Sequence, residues 1–227
     1  MKSINRQIED ELKNTGVDFI RFLDVSELTD TQNRGLPLAI LIGISIDPKF
    51  IKKVFDDPEY TPTHDDEYIQ TEEKAGKVTD EIAKILIDKG YKAISQSDAG
   101  LIADGAFNFD DKESVLPHKT VAMLGGVGWI GKNNLLITPE YGAAQCLGTL
   151  LTDAPLETSS PERILPKCGN CRICTDICDK NVLKGKTWDI TVSRDEIIDV
   201  HGCCICLKCL VHCPQTQAYI KRSQPGG

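Results

Sequence analysis

Ile4, Ile8 and Leu12 recur every four positions in an otherwise polar stretch, with Ser3 ahead of them and Gly16 behind. That pattern predicts a capped amphipathic helix over 3–15. "VDFIRFLDV" (17–25) alternates apolar and polar and predicts a strand. "LPLAILIGISI" (36–46) is almost continuously apolar, the pattern of a strand covered on both faces. Residues 64–90 form a long helical stretch that ends at Gly90, with Gly76 the point where it could break. "YKAISQS" (91–97) predicts another strand, and "HKTVAMLG" (118–125) a short helix. "LLIT" (135–138) and "AAQCLGTLLT" (143–152) flank the turn "PEYG", which predicts a hairpin. Strands alternating with helices point to an α/β (α+β) sandwich over 1–155. The Pro- and Ser-rich stretch 153–166 is the expected linker to a second, smaller domain over 156–227.

Composition narrows the function classes. The chain has 227 residues, ten cysteines and a formal net charge of −8. No run of eighteen apolar residues occurs, so no membrane partner is expected. The N-terminus is polar and lacks the apolar core of a signal peptide, so a cytoplasmic location is expected. There, ten cysteines point to metal ligands before disulfides. The acidity counts against nucleic acid as the main partner, because phosphates must be neutralised by Lys and Arg.

The cysteines are concentrated in two runs. "CGNCRICTDICDK" (168–180) reads C-x2-C-x2-C-x3-C, and "HGCCICLKCLVHCP" (201–214) reads the same way from Cys203. In the bacterial ferredoxin run of this spacing, the fourth cysteine ligates the other cluster. The expected ligand sets for two [4Fe–4S] clusters are therefore Cys168, Cys171, Cys174 and Cys213 for one, and Cys203, Cys206, Cys209 and Cys178 for the other. Cys204 is left over, and Cys146 lies far from both runs and reads as a small buried hydrophobe. Asp179 stands where the first run usually has proline. Two zinc sites are the competing reading, but zinc motifs pair two C-x2-C knuckles across a spacer rather than tripling them. Two clusters make an electron wire, and a wire needs an acceptor at its end.

"GGVGWIGKNN" (125–134) contains a formal G-x-G-x-x-G at Gly126, Gly128 and Gly131. A dinucleotide fingerprint follows a strand and opens a helix. Here a helix precedes and a strand follows, so that reading fails. The glycines are expected either to let the backbone approach a flat ligand or to form a tight structural turn. Trp129 and Ile130 could equally be core.

"GVGWIGKNNLLITPEYG", then "LGTLLTDAPL", then the paired cysteine runs resemble the epoxyqueuosine reductases and their relatives, the corrinoid reductive dehalogenases; "GYKAISQSDA" (90–99) resembles the strand before that family's active site. The resemblance implies a nitroreductase-like domain that binds cobalamin, with FMN the weaker alternative, and a ferredoxin-like domain that feeds it electrons. It places Asp98 where the family has its catalytic acid; a simple turn aspartate is the plainer reading. His118 is a second candidate for proton delivery. Lys119, Gly126, Gly128, Trp129, Gly131 and Lys132 are candidate cofactor contacts. The tRNA-handling C-terminal repeats of the full-length family do not follow the second run, so epoxyqueuosine is not the expected substrate. The leading expectation is an oxidoreductase. It would pass electrons from a reduced ferredoxin-type donor through two clusters to a corrinoid, reducing a small substrate or the corrinoid itself. The main alternative is an electron-transfer protein that activates a separate corrinoid protein; a flavin-dependent reductase is a further one.

Overall fold

The computed structural model describes residues 2–224. In chain order the elements are α1 (Ile4–Glu11), β1 (Phe19–Asp24), α2 (Asp30–Asn33), β2 (Leu38–Ser45), α3 (Pro48–Asp56), α4 (Glu67–Asp88), β3 (Ala93–Ser95), α5 (Asp98–Ala103), β4 (Phe107–Asn108), β5 (Glu113–Ser114), α6 (His118–Leu124), β6 (Trp129–Ile130), β7 (Leu136–Ile137), β8 (Gln145–Thr152), α7 (Ile173–Asp176), α8 (Lys208–Val211) and α9 (Pro214–Arg222), with a 3-10 turn at Arg194–Glu196 before α8.

The chain divides into two compact units, each assembled from separated stretches. The first comprises 1–44, 71–125 and 146–162; the second comprises 45–70, 126–145 and 163–227. A single cut between 155 and 156 does not describe this division, because α3 and the glycine stretch group with the cysteine runs.

The first unit is built on a four-stranded sheet in the order β1–β2–β8–β3, with β1–β2 and β3–β8 antiparallel. β2 is buried at all but its end residues, as its continuous apolar run requires. Ser3 caps α1 by accepting the Arg6 amide, as expected of that residue type. Ile8 of α1, Leu12 at its C-cap, and Val78, Ile82 and Leu86 of α4 form a core with Phe22, Ile40, Ile42 and Leu150. α4 runs unbroken through Gly76. An interior glycine costs about 1 kcal/mol, less than the packing of the buried face from Thr71 to Leu86 supplies.

The expected hairpin around "PEYG" forms only at its tip. Thr138 and Gly142 bridge, but β7 pairs with β6, and β8 inserts between β2 and β3. β8 is buried along almost its whole length. An eight-residue apolar strand gains more beside the equally long β2, with β3 on its other side, than from the two-residue β7. The first half of the linker is pinned to the first unit. Asn5 donates to the Glu157 carbonyl at 2.8 Å and accepts its amide at 2.9 Å.

Candidate cluster sites and an acidic site

In the second unit, local helix signals set the cysteines in place. Pro214 begins α9, so α8 ends before it and Cys213 becomes the N-cap of α9, 8% exposed. The amides of Gln215 and Thr216 point to its sulfur and oppose the upward push that burial gives its pKa. Cys168, Cys171, Cys174 and Cys213 line one cavity of ≈160 Å³, together with Trp129, Lys132 and Lys167. Burial lifts the Cys174 thiol to about 11, and the neighbouring Cys168, Cys213 and Cys171 add to the rise. Ligand pockets for drug-sized molecules run to roughly 300–1,000 Å³. A space this small, walled by thiols, suits an inorganic cluster and not a macrocycle.

The second group is equally coherent. Burial raises the Cys209 pKa, and Cys206, Cys203, Cys174 and Cys178 reinforce it. Cys206 is raised by burial and by its contacts with Cys204 and Cys178, while the Lys208 amide opposes. The two groups thus meet at Cys174 and Cys209. Four bare thiolates in such a space would repel one another at high cost, and metal binding is what normally relieves it. Among the described residues, no three His, Cys, Asp or Glu side chains converge on one metal-ion position.

The backbone is strained in the same place. Ile205 and Leu207, on either side of Cys206, have φ of 54° and 61°. The left-handed region costs an L-residue about 1–2 kcal/mol, and a β-branched residue there is a genuine outlier. Ile205 is also 60% exposed, so packing does not impose the conformation. Turns of this kind aim backbone N–H groups at an anion, as in many iron–sulfur sites.

The glycine stretch supplies the grip on both runs. β6 and β7 form a short antiparallel hairpin, and Lys132 and Asn133 lie in the loop between them. Lys132 Nζ donates to the carbonyls of Gly169 at 2.7 Å and Cys171 at 3.0 Å, in the first run. Asn133 donates to the Cys209 carbonyl at 3.3 Å, in the second. A Cβ on Gly128 would fall inside the Ile137 carbonyl oxygen, and one on Gly131 inside the Ile137 side chain. The glycine at 128 is therefore required by its own hairpin, whereas a Cβ on Gly131 would meet only the side chains of Ile137 and Asn133. Gly126 takes a positive φ of 59°. Of the residues put forward as corrin contacts, Trp129 and Lys132 instead line the thiol cavity.

The first unit holds a separate titratable group. Ser97 caps α5 and donates its hydroxyl to Asp80 at 2.7 Å. Glu72, Gly76 and Asp80 follow one another at one-turn spacing along α4, so one face of that helix carries both acids. Asp98 is the first residue of α5, on a helix rather than in a free turn. It interacts electrostatically with Glu72 and His118. Burial and the Asp98 charge raise the Glu72 pKa, although solvent reaches the side chain and moderates the effect. His118, at the start of α6, has its Nδ1 fully covered with no hydrogen-bond partner. Burial lowers its pKa to about 4 against the opposing pull of Asp98. At neutral pH it is therefore an uncharged imidazole, not the imidazolium that a proton donor needs. Lys119 lies beside it in the first turn of α6. Glu72 was not singled out from sequence; only its placement one turn before Gly76 and two before Asp80 could have flagged it.

Of the remaining candidates, Cys146 is buried in β8 as a small hydrophobe. Cys204 is exposed. His64 and His201 are exposed, and His212 packs on Phe55 with ring centroids 4.7 Å apart.

No protein-family model matches the chain. Among curated proteins, an epoxyqueuosine reductase of Listeria monocytogenes is 46% identical over 71 residues, 31% of this chain and 18% of that protein. One from Lactococcus garvieae is 33% identical over 112 residues, 49% of this chain and 27% of the relative. The chain thus matches only about a fifth to a quarter of the length of these relatives. Among solved structures, an epoxyqueuosine reductase with an epoxyqueuosine-modified tRNA stem loop aligns with a TM-score of 0.62 at 16% identity, covering 95% of this chain and 66% of that one. A reductive dehalogenase described as B12-dependent aligns with a TM-score of 0.60 at 16% identity, covering 83% and 27%. In sequence over part of its length, and in fold over nearly all of it, the chain is similar to the epoxyqueuosine reductases and the reductive dehalogenases, the family its motifs resemble.

Proposed function

We propose that this chain is an iron–sulfur reductase that carries two [4Fe–4S] clusters and passes single electrons through them to a corrinoid. The observation that carries the reading is the cavity walled by Cys168, Cys171, Cys174 and Cys213, three thiols from one run and one from the other. Cys178, Cys203, Cys206 and Cys209 are the proposed ligands of the second cluster. This interleaving staples the two runs together, as in a ferredoxin-like module. The first unit is proposed as a nitroreductase-like partner domain.

Each cluster, when bound, supplies one-electron reduction at low potential. The chain's own part is to keep the ligands apart and oriented, through the α9 N-cap at Cys213 and the Lys132 and Asn133 grips. Burial at Cys174, Cys209 and Cys213 limits water at the sulfurs. The corrinoid rests on likeness to the B12-dependent neighbour. The residues do not form a corrin cradle in the glycine stretch: Gly128 serves its hairpin, Gly131 abuts the side chains of Ile137 and Asn133, and Trp129 and Lys132 face thiols. Lys119 and Gly126 remain proposed contacts. No reaction step is assigned through the corrin. Asp98 is the proposed proton donor to substrate, with Glu72 beside it. Electrons come from a reduced ferredoxin-type protein, and the substrate is a small molecule or the corrinoid itself.

Two measurements test this. Anaerobically reconstituted protein should contain about eight iron and eight sulfide per chain. A colourless protein with about two zinc would overturn the cluster reading. Cob(II)alamin should then change its visible spectrum on titration with the reduced protein. If cobalamin and FMN both fail to bind while the clusters are intact, the chain is an electron-transfer protein serving a separate corrinoid protein.

A further inference from the structure

The two thiol groups do not share the same electrostatic surroundings. Lys132 lines the cavity of Cys168, Cys171, Cys174 and Cys213, and its ammonium is held in place by two hydrogen bonds. Both acceptors are neutral backbone carbonyls, so these bonds fix the charge without cancelling it. A lysine has three N–H donors, which leaves one beyond those two. Lys132 is only partly exposed, and a part-buried charge is poorly screened. Lys167 lines the same cavity, its Nζ 6.0 Å from the Trp129 ring centroid. Near the other group, Lys208 feels the Cys206 charge. Lys208 is paired with the Asp179 carboxylate at 2.6 Å. Asp179 thus cancels near the second group what Lys132 leaves uncancelled near the first.

A four-thiolate cluster is anionic and gains one more negative charge on reduction. Its potential depends on the net charge around it, on hydrogen bonds to the sulfurs and on exposure. We propose that Lys132 makes the cluster held by Cys168, Cys171, Cys174 and Cys213 the electron sink of the pair, by setting a fixed, uncancelled ammonium against its reduced state. The inference rests on the two-cluster reading above. Electrons entering at the Cys178, Cys203, Cys206 and Cys209 cluster then run downhill to the other. Lys132 is a positioning and tuning residue, and it accepts no electron itself.

The test is an anaerobic redox titration of the reconstituted holoprotein, with dithionite as one-electron donor and electron paramagnetic resonance as the readout. The signal that survives in Cys203→Ser identifies the first cluster. In Lys132→Met the midpoint of that cluster should move to more negative potential, while the other stays in place. Lys132→Arg, which keeps the charge, should remain close to the unaltered protein. Unmoved midpoints at full iron content would overturn the inference, as would Lys132→Arg falling as far as Lys132→Met. If Lys132→Met fails to assemble the first cluster, Lys132→Gln carries the test, because its amide keeps N–H donors for the carbonyls without the charge. The same negative shift is then expected, and an unchanged midpoint overturns the inference. Iron and sulfide below two clusters in the unaltered protein would instead sink the functional reading itself.

Discussion

His118 should titrate well below an ordinary histidine. Its Nδ1 is sealed from water without a partner, and burial lowers its pKa from 6.5 to about 4. That displacement corresponds to about 3 kcal/mol against the imidazolium. At pH 5.5 an ordinary histidine is roughly nine-tenths protonated, whereas His118 should be protonated to only a few per cent, on the order expected for that pKa. The consequence for stability has a definite sign. Between pH 6.5 and about 4 the unfolded chain binds this proton and the folded chain does not. Stability therefore falls with pH across that window, and the loss is absent above it. Glu72 acts oppositely: its raised pKa lets the folded chain keep a proton that the unfolded chain has released, a contribution lost as pH rises through the folded value. The direct assay is a titration of protein labelled at histidine Cε1, followed by nuclear magnetic resonance, with His118→Asn to assign the resonance among four histidines. The His118 signal should remain in its neutral position down to about pH 4, and Asp98→Asn should move the midpoint lower still, because Asp98 is the group that favours the charged form. A midpoint between 6 and 7, roughly the unperturbed value, would refute the burial argument and restore His118 as a candidate proton donor.

Other outcomes follow from the packing around the cysteines. Cys178→Ser and Cys213→Ser should each lower iron by about four per chain, whereas Cys204→Ser should leave it unchanged; iron loss in Cys204→Ser with retention in Cys203→Ser would mean that the ligand register is off by one. Gly128→Val should lower the thermal unfolding midpoint and the iron content together, because a Cβ there collides with the Ile137 carbonyl and displaces the hairpin that carries Lys132; a cost of a few kcal/mol is typical of overpacking, and normal iron and stability would show that the hairpin can adjust. Thr216→Val should cost about 1–3 kcal/mol in urea unfolding, since the buried Thr216 hydroxyl accepts the Ala143 amide at 2.9 Å and its loss strands that donor.

Spacing alone carried much of what the chain does. The α1 cap at Ser3, the buried run of β2 and the long α4 all follow from local periodicity, because burial of a stripe or a face needs no knowledge of distant neighbours. The cysteine grouping was equally legible, because a tight loop can present three thiols and must borrow the fourth from elsewhere. Cys213 lines one cavity with Cys168, Cys171 and Cys174. What remained hidden depends on contacts between residues far apart in the chain. β8 abandoned the local hairpin for a place between β2 and β3, because a long apolar strand is worth more along the full length of β2 than beside a two-residue strand. Lys132 read as a cofactor contact, yet it reaches carbonyls 37 and 39 residues away, and its neighbour Asn133, which no pattern singled out, reaches one 76 residues away. Glu72 joined Asp98 and His118 only once α4 lay beside α5. Motif spacing within a few turns of chain is set by covalent geometry and is written in the sequence. Which charge faces which sulfur, and which glycine faces a carbonyl rather than a cofactor, is decided by long-range packing that no local pattern encodes.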